Sequence, residues 1–230
     1  MKYIKILIVT LLPFGALAAE TTGSAELGYL ARSGNTDSTD LNAKFAVARA
    51  YEQWTHSLAL SAELAEENNS TTTQRYQVGV KSEYRLSAVD YLFGTVDYQN
   101  DKFGAYDSRW SEAIGYGRRL FAQETQTLDL EVGAGARQSK LSDGTTENEA
   151  IARFGLNYWY KFATGAEFTN KFLTELGEEN TYLENVAAVG MPLFENISLK
   201  TSYTVRHNTD VPAGTEKTDT VTSVNLSYKF

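Results

Sequence analysis

Apolar and polar residues alternate one by one over twelve stretches of this chain. The clearest is 126–139, where Leu128, Leu130, Val132, Ala134 and Ala136 alternate with Asp129, Glu131, Gly133, Gly135 and Arg137. A period of two is that of an extended strand whose faces meet different surroundings. The same reading predicts strands at 23–32, 39–50, 54–65, 73–86, 89–100, 108–121, 149–162, 166–177, 181–191 and 196–207, and a last one ending at Phe230. Within 108–121 Arg118 interrupts the apolar row of Trp110, Ile114 and Tyr116, and 181–191 reads in either phase. Each stretch is long enough for a tilted membrane crossing of about 9–11 residues. The expected fold is all-β: a closed up-and-down antiparallel transmembrane β-barrel of about twelve strands over residues 20–230.

Closure is expected because unpaired strand edges in lipid cost several kcal/mol per backbone group. The sign of the alternation favours a membrane. A soluble barrel of the lipocalin sort turns its large apolar residues inward. Here the face opposite the greasy one carries Lys44, Glu63, Lys81, Glu83, Asp129, Glu131, Arg137, Arg153, Lys161, Glu167, Lys171, Glu175, Lys200 and Arg206, which are expected to line the lumen. An even strand count puts both termini on the periplasmic side. Tight turns are then expected near 51–53, 87–90, 122–125, 163–165 and 192–195, with longer external loops at 66–72, 100–107, 140–148 and 208–217. Tyr51, Trp54, Tyr84, Tyr91, Phe93, Phe121, Tyr160, Phe162, Phe168, Phe194, Tyr228 and Phe230 lie beside the periplasmic turns and read as an aromatic girdle at the headgroup level.

The N-terminus supports export. Lys2 and Lys5 precede an apolar run, and Ala16-Leu17-Ala18 supplies a small-residue cleavage site, so residues 1–19 read as a cleaved signal peptide. The run from Ile6 to Ala19 is 14 residues, short of the roughly 20 that a membrane-spanning helix needs. Losing this segment removes two Lys and no acid, taking the net charge from −8 to −10. Mean hydropathy is −0.35, which resembles a soluble protein only because half of each barrel strand is polar. The alternating terminus Val224, Leu226, Tyr228 and Phe230 reads as the signal recognised by the barrel assembly machinery of the bacterial outer membrane. An acidic, exported chain without a basic patch gives no sign of nucleic-acid binding.

Candidate chemistry is sparse. Cys is absent, which removes disulfides and thiolate metal sites. His56 and His207 are the two histidines, placed near opposite rims, so they cannot share a metal or a dyad. Ser57 follows His56, but adjacent strand residues face opposite sides. No nucleophile and base can be assembled, so neither catalytic residues, metal ligands nor cofactors are expected, and an outer-membrane lipid-modifying enzyme or protease is the weakest of the readings. Ser33-Gly34-Asn35-Thr36-Asp37 has the chemistry of a tight first hairpin. Acids at Glu66-Glu67, 143–149 and Glu178-Glu179 solvate the external loops, where they could also gather divalent cations that bridge anionic lipopolysaccharide.

The Ser33–Asp37 pentapeptide, the Gly115-Tyr116-Gly117-Arg118-Arg119 stretch, and the tail with Tyr203, Arg206-His207-Asn208 and Lys217-Thr218-Asp219-Thr220 resemble the family of salt-induced outer-membrane proteins, a bacterial domain family of unknown function. The resemblance spans the expected mature chain. It implies an outer-membrane location in a Gram-negative envelope and a link to salt or osmotic stress, and it carries no catalytic assignment. The expected function is an envelope barrel whose narrow polar lumen passes at most small ions or solutes. The alternative is a structural or adhesive barrel with a closed, salt-bridged interior.

Overall fold

Alternation gives every strand one apolar and one polar face, and the sheet that results can hide its edges only by closing. A computed structural model describes residues 20–32 and 38–230. The segment 1–19 and the motif Ser33–Asp37 lie outside the described residues. The strands are β1 (Glu20–Arg32), β2 (Ser38–Tyr51), β3 (Trp54–Glu67), β4 (Ser70–Arg85), β5 (Asp90–Asp101), β6 (Tyr106–Ala122), β7 (Gln126–Leu141), β8 (Thr146–Lys161), β9 (Glu167–Leu176), β10 (Thr181–Pro192), β11 (Ile197–Asn208) and β12 (Thr218–Lys229). Each pairs with its sequence neighbours, and β12 returns to β1 to close the barrel. The seam between β1 and β12 holds four register pairs, Ser24↔Lys229 to Leu27↔Leu226, where β1 and β2 hold thirteen. Backbone bonds between Gly23 and Phe230, at 2.8 and 3.0 Å, finish it.

The greasy faces point out. Leu60, Leu130, Phe154, Leu226 and Phe230 are all exposed on the wall, whereas Glu63, Arg137, Glu175 and Arg206 are buried inside. An apolar exterior around an ionic interior is the inverse of a soluble barrel, and it suits lipid. The strand with two possible phases, β10, turns Tyr182, Glu184, Val186 and Ala188 to the lumen. Its outward Asn185 is tolerated there because its amide bonds the amide of Asn170 on β9 at 3.1 Å.

Two expectations are corrected. Three connections at the rim away from the termini are shorter than expected, 68–69, 102–105 and 142–145, while 209–217 keeps close to its expected span. The supposed loop 66–72 is a two-residue turn, in which Asn68 and Asn69 take φ of 49° and 62°, values that Asn accepts more readily than most residues. In the 142–145 turn the Asp143 carboxylate accepts the Thr145 amide at 2.8 Å, which holds its pKa below the usual range. Second, Tyr91 and Phe93 do not belong to the girdle. They share the inward parity of Thr95 and Asp97 on β5 and are buried in the lumen. The rest of the rim carries outward rings, including Trp54 against Tyr84 at 5.0 Å and Tyr228 against Phe230 at 6.1 Å.

The turn at 52–53 places Glu52 at φ 49°, a conformation that disfavours a residue with a Cβ by roughly 1–2 kcal/mol. Glu52→Gly is expected to stabilise the barrel by about 1 kcal/mol in urea unfolding from lipid vesicles. A loss of stability would mean that the Glu52 side chain contributes more than its backbone strain costs.

Candidate functional site: the barrel lumen

Inward-facing residues of nearly every strand enclose a cavity of about 540 Å³. Nine of the fourteen charges expected inside line it: Lys44, Glu63, Lys81, Glu131, Arg153, Lys171, Glu175, Lys200 and Arg206. The others lie beyond it. Arg137 is packed behind Glu149 and Glu175. Glu83 meets Lys81 at 2.9 Å, Asp129 meets Arg119 at 2.9 Å and Glu167 meets Lys229. Lys161 stands opposite Glu167 in the β8–β9 register.

Toward the rim away from the termini, the lumen is filled by ion pairs. Arg137 donates Nη2 and Nε to Glu149 Oε1 at 2.7 and 3.1 Å, Nη1 to Glu175 Oε2 at 3.4 Å, and Nη2 to the Asn180 carbonyl. Arg153 holds the other Glu175 oxygen at 2.6 Å and Asp97 at 3.2 Å. A second group crosses from β3–β5 to β10–β11. In it Arg206 forks onto both Glu63 oxygens at 2.7 and 3.1 Å and reaches Glu184 at 2.9 Å, while Arg75 meets Asp101 at 3.2 Å. Bidentate guanidinium–carboxylate pairing of this kind satisfies several lone pairs at once. Arg109 lies between the rings of Tyr106 and Tyr182, 4.4 and 4.5 Å from their centres. Above it the 209–217 loop folds inward: Tyr106 Oη donates to the Asp210 carbonyl at 2.9 Å, and Val211 packs on Ala105, Tyr106 and Leu141.

The opposite half is wetter. Tyr91 and Phe93 lie flat on the wall of β6 and β7, where Gly117, Gly115 and Gly133 leave room for their rings. The Lys81 ammonium sits 5.5 and 5.2 Å from the two ring centres and pairs with Glu131, which also accepts the Tyr91 hydroxyl at 2.6 Å. At the terminal rim the Arg119 and Lys229 side chains are 40% and 53% exposed, against 0% for Arg137. Water access to the ionic residues therefore falls steeply from the terminal rim to the far one.

Other candidates do not converge. His56 lies on the outer wall, stacked 5.7 Å from Trp54 and bonded through Nδ1 to Ser82 at 2.9 Å, while His207 bonds Thr218 at the far rim. The stretch 115–119 has a local explanation: its glycines receive Phe93 and Tyr91, Tyr116 and Arg118 both hold Asp90, and Arg119 holds Asp129. Sequence reasoning missed Glu26, Arg75, Asp97, Asp101, Arg109, Glu149 and Glu184 as interior charges. Glu26, Arg75, Asp97 and Glu149 sit in stretches of readable phase, where inward parity could have found them; Asp101 falls one residue past its expected strand, and Arg109 and Glu184 sit in the two stretches of unclear phase. Asn180 lies in a connection, and no periodic signal marks it.

The family described as "Protein of unknown function, DUF481" matches residues 25–230. The chain is 30% identical over 209 residues to an uncharacterized Escherichia coli (strain K12) protein, YdiY, covering 90% of this chain and 82% of that one. Among solved structures, the NanC porin superposes with a TM-score of 0.52 at 12% identity, covering 90% and 97% of the two chains. The COG4313 outer membrane channel of Pseudomonas putida F1 gives 0.51 at 12% identity, covering 94% and 97%. These structures share the barrel fold with this chain.

Proposed function

The chain belongs to the DUF481 family of proteins of unknown function, and from that premise we propose an outer-membrane barrel whose lumen is shut at the outward rim and wet on the periplasmic side. One observation carries the reading: ion pairs at the far rim are dry, and those at the terminal rim are not. A narrow polar lumen with a blocked end passes at most small ions while the Arg137 and Arg206 clusters hold. Salt screens exposed charges over about 10 Å at 0.1 M but reaches buried pairs much less, so the closed end is expected to persist as external salt rises. Deployment under salt or osmotic stress rests on the family resemblance alone. Export by the 1–19 leader, recognition of the Val224–Phe230 terminus by the assembly machinery, and contact with outer-membrane lipids and lipopolysaccharide complete the proposal.

Single-channel recording in planar bilayers tests it. The native barrel is expected to give little or no current, and Arg137→Ala to give discrete conductance steps. A large steady current through the native protein would refute the closed rim, and silence from both would return the barrel to a structural role.

A further inference from the structure

We propose that the lumen cavity is a binding site for a small, multiply charged anion, one bearing a phosphate or two carboxylates, held between Lys44 and Lys171 beneath Arg109. The inference deepens the closed-end reading, because a blocked lumen is a vestibule in which a solute can dwell. It rests on how the lining charges are paired. Each of the six carboxylates on the cavity wall lies within 4.0 Å of a cation. Three of the seven lining cations, Lys44, Lys171 and Arg109, make no ion pair among the described residues.

The surroundings of the lysines sharpen the imbalance. Lys44 is within electrostatic reach of Glu26 and Glu63, yet Glu26 is taken by Lys200 at 2.6 Å and Glu63 by Arg206 at 2.7 Å. Lys171 is within electrostatic reach of Lys200, Glu26, Lys44 and Glu184, makes no ion pair with either acid among the described residues, and is accessible to water in the lumen. Arg109 lies on the far side of the cavity, stacked between Tyr106 and Tyr182 with Nη2 on Asn208 Oδ1 at 2.8 Å, so it adds an uncompensated charge rather than a free donor. Like charges gathered in a confined space repel unless a counter-charge joins them, and an ammonium's three donors suit either a phosphate or a carboxylate. Cations have the weaker claim, since every lining carboxylate is already engaged. At about 540 Å³ the cavity falls within the usual 300–1,000 Å³ of small-molecule sites.

The test uses the full-length barrel in detergent micelles, with inorganic phosphate and succinate as probes and chloride at matched ionic strength as the control. Either probe is expected to raise the melting temperature by about 2–4 °C beyond chloride, with saturation. Which probe acts identifies the headgroup chemistry. Lys44→Gln with Lys171→Gln should lower the affinity tenfold or more while leaving melting in chloride no lower than native, because repulsion is relieved. If the double variant does not fold, Lys171→Gln alone should still weaken binding several-fold. No shift beyond chloride, or an equal shift in native and variant proteins, overturns the site. In micelles the probe reaches the barrel from both ends, so this result does not depend on which end is shut, and bilayer currents judge that separately.

Discussion

Arg137→Ala is expected to cost about 3–5 kcal/mol of unfolding free energy, because it strands the carboxylates that the guanidinium neutralises. The side chain is fully buried, and it joins Glu149 on β8 to Glu175 on β9 and to the Asn180 carbonyl beyond. Glu175 would keep Arg153, but Glu149 would keep only the amides of Glu179 and Asn180. The expected loss is not a measure of what the pair adds to the fold, since desolvation offsets much of the attraction of buried ions. It measures the cost of an uncompensated charge. Arg119→Ala is the control. Its bond to Asp129 at 2.9 Å is comparable to the Arg137 bonds, but the guanidinium is 40% exposed, and the expected cost is about 0–1 kcal/mol. Equilibrium unfolding in urea from lipid vesicles separates the two. Equal losses would show that dryness does not govern the far rim.

Gly117→Ala is expected to destabilise by about 1–3 kcal/mol, the usual range for overpacking. A Cβ at this position would lie 2.2 Å from Tyr91 Cζ, so the ring must leave the wall and stretch its 2.6 Å bond to Glu131. Gly94 is the matched comparison. A Cβ there meets only Ile114 Cγ2, at 4.0 Å, and Gly94→Ala should fall within about 0.5 kcal/mol of native, as surface changes do. Tyr91→Ala loses the hydroxyl bond in its own right, but combined with Gly117→Ala it removes the clash. The double-mutant cycle should therefore show a favourable coupling of at least about 1 kcal/mol. Strict additivity would mean that the ring does not rest on the glycine.

Most of the wall could be read from the chain because parity is a local property. Leu128 to Ala136 and their polar alternates depend on nothing beyond the pleat, and β7 shows them where expected. Local reasoning failed where a distant residue changed what a position tolerates. Asn185 is tolerated on the outer face of β10 because Asn170 on the neighbouring strand supplies its partner, and such a polar outward residue is what blurs the phase of 181–191. Tyr91 and Phe93 sit near a turn and are aromatic, so they passed for girdle. The contrary signal was present in their shared parity with Thr95, Asp97 and Gln99, but the space that admits them belongs to Gly115 and Gly117, more than twenty residues away. Alternation assigns fourteen charges to the inner face, and nine of them line the cavity. That the interior sorts into a dry end, a cavity and a wet end does not follow from alternation, because Arg206 finds Glu63 across 143 residues of chain.

The four-pair seam between β1 and β12 has a mechanical consequence. Every other strand pair is a hairpin between sequence neighbours, whereas this one joins Ser24 to Lys229. Bringing distant ends together costs more chain entropy than closing a hairpin, and here the fewest rungs repay it. A cylinder zipped this way fastens its last stitch at Phe230 and, under heat or load, should tear first along the same line.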